Sequence, residues 1–204
     1  MPTGVALRDA REQLFDAAER ILLRDGHPAL TSRAVTTEAG CAKGVLHRHF
    51  AGFDEFLAEF VLDRMGQVYG HAFALREAAG TGTVAGNLTA ALTDLYGSAA
   101  VAMVGLVAAR DSLRVRLQES WPAGIPVVTE AITMIDDYLT YERGLGRIAD
   151  QADIDIVAFT LVGGVHLMFT RGDNTPPEEA AISRLVSTAL AGALPATGEP
   201  RRSG

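Results

Sequence analysis

Lysine is almost missing from this chain. Of 18 basic residues, 17 are arginine and one is Lys43. Cysteine is as scarce. Cys41 stands alone, which excludes an intrachain disulfide, fits a reducing compartment and reads as a small buried hydrophobe; a cytoplasmic location is expected. No unbroken apolar run reaches the roughly 18–20 residues that span a bilayer; the longest, Ala99–Ala109, has 11. The first residues hold no apolar signal-peptide core. Neither a span nor a membrane partner is expected. P-loop, Rossmann glycine, zinc-ligand and nucleophile-elbow patterns are all missing. Asp136-Asp137 and Asp153 with Asp155 read as surface acids. The expectation is a non-enzyme with no catalytic residue, metal or cofactor. Strand-like alternation and internal repeats are also missing.

What is present is apolar periodicity of the helical kind. Hydrophobic residues make up 48% of 204, ample for a buried core. Leu14, Ala17, Ala18, Ile21 and Leu22 recur at helical spacing; Gly26 ends that helix and Pro28 prevents its restart. Further helices are expected over 32–39, 42–50, 53 to about 73, 84–97, 99–119, 125 to about 141, from Asp150 or Asp153 to about 170, and from a Thr175 cap to about 193. Residues 78–83, AAGTGT, read as a flexible joint. Pro122 and Pro126 break the chain, and residues 195–204 read as a disordered tail. The fold class is all-α with about nine helices.

Residues 30–56 concentrate the chemistry. Thr31-Ser32 can cap a helix, and Gly40 is a left-handed stop for it. Cys41-Ala42 is a short connection to a second helix bearing Lys43, His47, Arg48 and His49. Two short helices across a tight glycine turn form a helix-turn-helix, whose second helix enters the DNA major groove. Thr31, Ser32 and Arg33 open the first helix, where hydroxyls and backbone N–H groups can hold a phosphate, although capping alone explains Thr31. Lys43 opens the second, whose N-terminal residues reach base edges and phosphates; elsewhere it would read as a solvated lysine. Gly44 has no side chain and lets the backbone approach DNA, His47 can donate to a phosphate, and Ala42 and Arg48 stand beside them as candidate DNA contacts. His47 and His49 sit two apart on a helix, so their rings do not chelate together.

This segment resembles the tetracycline-repressor (TetR) family of bacterial transcription regulators. The resemblance rests on the amphipathic helix ending at Asp25-Gly26, on Val35, Glu38-Ala39-Gly40, Lys43-Gly44, Leu46 and His49-Phe50, and on Asp54 with Phe56-Leu57. It covers about the first 60 residues. The chain departs from the family at Thr36, often Ala; at Cys41-Ala42, often Val-Ser; at His47, often Tyr; and at Gly52-Phe53, often Ser-Lys. Phe53 thereby removes a phosphate contact, and Ala42 removes a cap of the recognition helix. The resemblance implies a homodimer on pseudo-palindromic double-stranded operator DNA and a small-molecule effector.

Charge is compatible with that. Net charge is −7, but residues 1–50 carry 7 basic and 6 acidic groups, net +1. Residues 51–204 carry 11 and 19, net −8. Such a chain presents one end to phosphates. The expected organisation is a DNA-binding domain over 1–52 and a ligand-binding and dimerisation body over 53–194. Scattered polar groups in the apolar body are Tyr96, Arg110, Arg114, Trp121, Tyr138, Tyr141 and His166. Candidate ligand contacts are Met103, Met134, Tyr138, Tyr141 and His166, each of which also reads as ordinary core. Arg110 and Arg114 read as a solvated face. Phe159, Gly163, Gly164, Leu167, Leu185 and Ala189 are the expected dimer face, with an intrachain core as the alternative. The function expected is a ligand-responsive transcription regulator, a repressor released by a small, mostly apolar molecule. Its rivals are an all-α small-molecule binding protein with weakened or lost DNA binding, and a helical enzyme.

Overall fold

Every regular element among the described residues is helical. The computed structural model describes residues 4–118, 127–171 and 176–195, without the side chains of 4–9 and 100. The elements are α1 (Gly4–Asp25), a 3-10 turn (His27–Ala29), α2 (Ser32–Glu38), α3 (Gly44–His49), α4 (Phe53–Glu77), α5 (Val84–Gly97), α6 (Ala99–Ala109), α7 (Asp111–Gln118), α8 (Val128–Gly144), α9 (Ile154–Arg171) and α10 (Glu179–Leu190). Glu119, Trp121, Pro122, Pro126, Thr175 and the expected tail from residue 196 lie outside the described residues.

The count exceeds nine because the helix expected over 99–119 breaks at Arg110. α6 is apolar on all sides, whereas α7 restarts with Asp111 and buries only Leu113 and Leu117. Contacts gather residues 1–67 and 98–127 into one unit, and 68–97 and 128–204 into another.

In the first unit, Leu14, Phe15, Ala17, Ala18, Ile21 and Leu22 form the buried stripe of α1. Phe15 meets Phe50 and Phe56 at ring separations of 5.8 and 5.6 Å, and Phe50 meets Phe56 edge-on at 5.1 Å. Burying each such ring stabilises by about 1.5–3 kcal/mol. This cluster explains why α3 must end at Phe50. Ion pairs tie α4 back to α1: Arg11 meets Glu59, and Arg64 meets Asp16 at 2.6 Å and Glu19 at 2.7 Å.

In the second unit, α10 packs on α5 and α9, and α8 packs on α9. The expected flexible joint is instead held by hydrogen bonds. Asn87 Nδ2 donates to the carbonyls of Ala78 and Thr81 at 3.0 Å, and Arg147 donates to Gly82 O at 2.8 Å. Gly80 and Gly82 supply the positive φ, 77° and 52°, that the turn requires. The Glu142 carboxylate, fully buried, accepts from Tyr138 Oη at 2.7 Å and from Gly80 N–H at 3.3 Å, with Arg147 at 3.4 Å. Asp153 Oδ1 accepts from Ile156 N–H at 3.3 Å and opens α9 as expected. By length and composition α9 could cross a membrane, with 18 residues of mean hydropathy 1.4. Asp155, His166 and Arg171 interrupt its apolar run. One side of α9 packs against α5, α8 and α10.

Candidate nucleic-acid interface

α2 starts at a threonine cap. Thr31 has extended backbone, and its Oγ1 accepts from Ala34 N–H at 3.2 Å. α2 stops at Gly40, φ 66°, where Cys41 N–H donates to Thr36 O at 3.0 Å and Gly40 N–H to Thr37 O at 3.1 Å. That pair of bonds is the Schellman motif, and a side chain at φ 66° would be strained. Val35 and Leu46 are fully buried, one from each helix, and fix the angle of the turn. Thr36, where the family often has Ala, spends its hydroxyl on the carbonyls of Ser32 and Arg33.

With both helices anchored inward, Thr31, Arg33, Ala42, Lys43, Gly44, His47 and Arg48 are all exposed. Ser32 is half-buried, and its Oγ is buried without a partner. His49 is half-buried with its ring 6.4 Å from that of Phe50. Lys43 occupies the N-cap of α3 and makes no side-chain cap bond, so α3 starts with one backbone turn, Val45 N–H to Ala42 O at 2.8 Å.

The ion pairs sort the cations. Between residues 10 and 60, Arg11 is bound to Glu59, Arg20 to Glu38 at 2.9 Å, and Arg24 to Asp25 at 2.8 Å and Glu38 at 3.2 Å. The Arg20 guanidinium holds the Glu38 carboxyl below the usual carboxylate range, so Glu38 stays charged between its two arginines. Arg33, Lys43 and Arg48 carry no ion pair among the described residues. A groove of about 590 Å³ runs between α1 and α2, lined by Ile21, Arg24, Thr31, Arg33, Thr37 and Glu38.

The candidate ligand contacts are spread over both units. Met103 is fully buried in α6, in the first unit. Met134 and Tyr138 are buried in α8, and Tyr141 is exposed there. Tyr138 is committed within the fold: it donates to Glu142 and accepts from Asn87 Nδ2 at 3.0 Å. Burial raises its pKa above the usual phenol value. His166 differs, because its Nδ1 is buried with no partner. Its ring lies 6.4 Å from that of Tyr96, and burial lowers its pKa, keeping the imidazole neutral. Thr93, one turn before Tyr96 on α5, also has a buried hydroxyl without a partner. Sequence reasoning missed Thr93, because a threonine in an amphipathic helix gives no sign of an unmet hydroxyl. Arg114 pairs with Asp111 on the surface, whereas Arg110 turns inward.

The expected dimer face divides. Phe159 and Leu167 are more than 60% exposed, and Gly163 faces open space. Ile156, 59% exposed, extends this stripe by one turn; its signal was the three-residue spacing to Phe159. Gly164, by contrast, faces the Leu185 side chain of the same chain, and Leu185 and Ala189 are half-buried. Gly164 thus makes a close approach within one chain.

Residues 14–60 match the family model described as bacterial regulatory proteins, tetR family. No curated protein matches the chain. Solved structures share its fold. NemR of E. coli in its reduced form has 14% identity and a TM-score of 0.70, over 93% of this chain and 100% of that one. A proposed TetR-family transcriptional regulator of Mesorhizobium loti MAFF303099 has 16% identity and a TM-score of 0.67, over 92% and 98%. SmeT of Stenotrophomonas maltophilia, in complex with triclosan, has 19% and 0.64, over 96% and 100%. Residues 14–60 thus carry the helix-turn-helix of the tetR family of bacterial regulatory proteins, on a chain with the all-α fold of a TetR-family regulator.

Proposed function

We propose that this chain is a ligand-responsive DNA-binding transcription regulator, a repressor that leaves its operator when a small, mostly apolar molecule binds. The observation that carries this reading is the sorting of cations: Arg33 on α2, Lys43 at the N-cap of α3 and Arg48 on α3 are exposed and carry no ion pair among the described residues, while neighbouring arginines are neutralised. Free cations on two helices release counterions when they meet phosphates, and the second helix supplies base contacts. Thr31, Ser32, Ala42, Gly44 and His47 complete the proposed interface. The domain roles assigned are DNA binding by 1–52 and ligand binding with dimerisation by 53–194.

The Ile156, Phe159, Gly163 and Leu167 stripe supports a homodimer, which would place two recognition helices on a pseudo-palindrome with half-sites about 34–36 Å apart or a multiple of it. Thr93 Oγ1 and His166 Nδ1, buried and without a hydrogen-bond partner among the described residues, support a ligand that brings a hydrogen-bonding group into unit two. SmeT, which shares the fold, is solved with triclosan. For the ligand to act as a switch it must favour one arrangement of the recognition helices; a difference of about 1–3 kcal/mol would change DNA affinity roughly 5- to 150-fold. The missing side-chain cap on α3 favours a second reading, a small-molecule binding protein that has lost DNA binding.

Selection of genomic DNA fragments on the purified protein, followed by gel shifts at several salt concentrations, separates the two. A recovered palindromic site with a steep salt dependence supports the regulator. Failure to enrich any site, with ligands still raising the melting temperature, overturns it in favour of the second reading.

A further inference from the structure

Arg110 does a job that none of the readings above requires. It stands at the break between α6 and α7, at the end of a helix whose Met103, Leu106 and Val107 are buried. That helix passes close to the 3-10 turn: a Cβ on Gly105 would lie 3.4 Å from a ring carbon of His27. From this support, Arg110 Nη2 donates to the carbonyl of Leu30 at 3.0 Å. It is the only hydrogen bond to that carbonyl among the described residues. Leu30 is fully buried and immediately precedes Thr31, the cap of α2. The same guanidinium lies 5.5 Å from the ring centre of Phe53, the first residue of α4, and 3.9 Å from Asp54. One side chain therefore joins the start of α2 to the start of α4, the two ends of the segment that holds Arg33, Lys43 and Arg48.

We propose that Arg110 is a positioning residue for DNA binding: it fixes the entry of α2 against the start of α4 and so sets operator affinity without touching DNA. The chemistry requires arginine. A planar guanidinium donates in its plane to the Leu30 carbonyl while its face lies on the Phe53 ring; an ammonium does not combine the two. Contact residues hold their geometry only when the residues behind them are fixed, and Arg110 is anchored by the buried length of α6. With Arg110 gone, the Leu30 carbonyl loses its partner and the first turn of α2, which carries Thr31 to Arg33, loosens.

The proposal rests on the DNA-binding reading, and its test has one arm that does not. In free protein, amide hydrogen exchange over residues 31–35 is compared between the parent and Arg110→Met, which keeps the chain length and the contact with Phe53 but loses the donor. Exchange there is expected to quicken, with the melting temperature little changed. On the selected operator, Arg110→Met is expected to bind about tenfold more weakly, within the usual range of coupling between sites, with the slope of affinity against salt unchanged. Arg110→Lys and Phe53→Leu are expected to give smaller losses of the same kind, and they serve if Arg110→Met does not fold. Unchanged exchange at 31–35 overturns the proposal, whether or not DNA binds. A salt slope lower by about one unit overturns it too, because Arg110 would then be a phosphate contact. If the parent binds no DNA, the regulator reading fails while the exchange arm still decides the positioning.

Discussion

Gly164 of α9 faces Leu185 of α10 so closely that a Cβ at 164 would lie 2.7 Å from a Leu185 methyl. The neighbour is the end of a half-buried side chain, which can swing aside. Gly164→Ala gains about 1 kcal/mol of helix propensity and spends it on moving Leu185. Its stability in urea unfolding is expected to stay within about 0.5 kcal/mol of the parent. Gly164→Phe cannot be absorbed and should cost about 1–3 kcal/mol by overpacking. An equal effect of both substitutions would show that the α9–α10 contact is not close.

Gly163 is the complement, because among the described residues no atom outside its own helix turn lies within 4 Å of a Cβ there. It sits on the stripe of Ile156, Phe159 and Leu167. If two copies pair through this stripe, Gly163→Trp and Leu167→Asp should give monomers by sedimentation at micromolar concentration with helix content unchanged. Operator binding should fall in parallel, since each half-site alone binds weakly. Variants that remain dimeric would move the interface elsewhere, and a parent that is monomeric would overturn the dimer.

Much of this was written in local signals. Thr31 and Gly40 bound α2 because capping and left-handed stops depend on the residue and its immediate neighbours. Phe50 and Phe56 stood among the residues that carry the family resemblance, and their rings meet in the fold. Long-range partners were not. Arg110 read as solvated, and only the fold brings a carbonyl 80 residues away to its guanidinium. A sequence also does not show that the Tyr138 hydroxyl meets Glu142 and Asn87. The 78–83 joint read as flexible because its restraints come from Asn87 and Arg147, outside the glycine-rich run.

Asp136 of α8 and Asp155 of α9 share the wall of a groove of about 380 Å³ with Ile132, Thr133, Ile156 and Phe159. The Asp136 pKa is raised by burial first, then by a hydrogen bond with Asp155 and repulsion from Asp155 and Asp137, with Arg143 opposing. A carboxyl raised in the fold favours its protonated form there. The fold is therefore penalised at neutral pH, and the penalty disappears as pH falls through the folded pKa toward the ordinary Asp value. Asp136→Asn should raise the melting temperature at pH 7, and the gain should shrink steadily as pH approaches 4. A gain that is constant with pH would mean that Asp136 is not repelled.

The sorted cations give the sharpest expectation for DNA. Each side chain that neutralises a phosphate contributes about 0.9 to the slope of log affinity against log salt. Lys43→Ala, Arg33→Ala and Arg48→Ala should each lower that slope by about one unit if the residue meets a phosphate. If Lys43 reads a guanine instead, its loss should be about 1–3 kcal/mol and confined to one base position. Arg20→Ala should behave differently. Arg20 is bound to Glu38, so its removal leaves the slope alone and frees part of a carboxylate on the same helix as Arg33. Its effect should be a modest loss on every sequence, reversed by adding Glu38→Gln. The four variants, titrated on one operator between 50 and 200 mM salt, separate contact from background. Equal slopes in all four would mean that pairing within the chain does not decide which cations meet DNA.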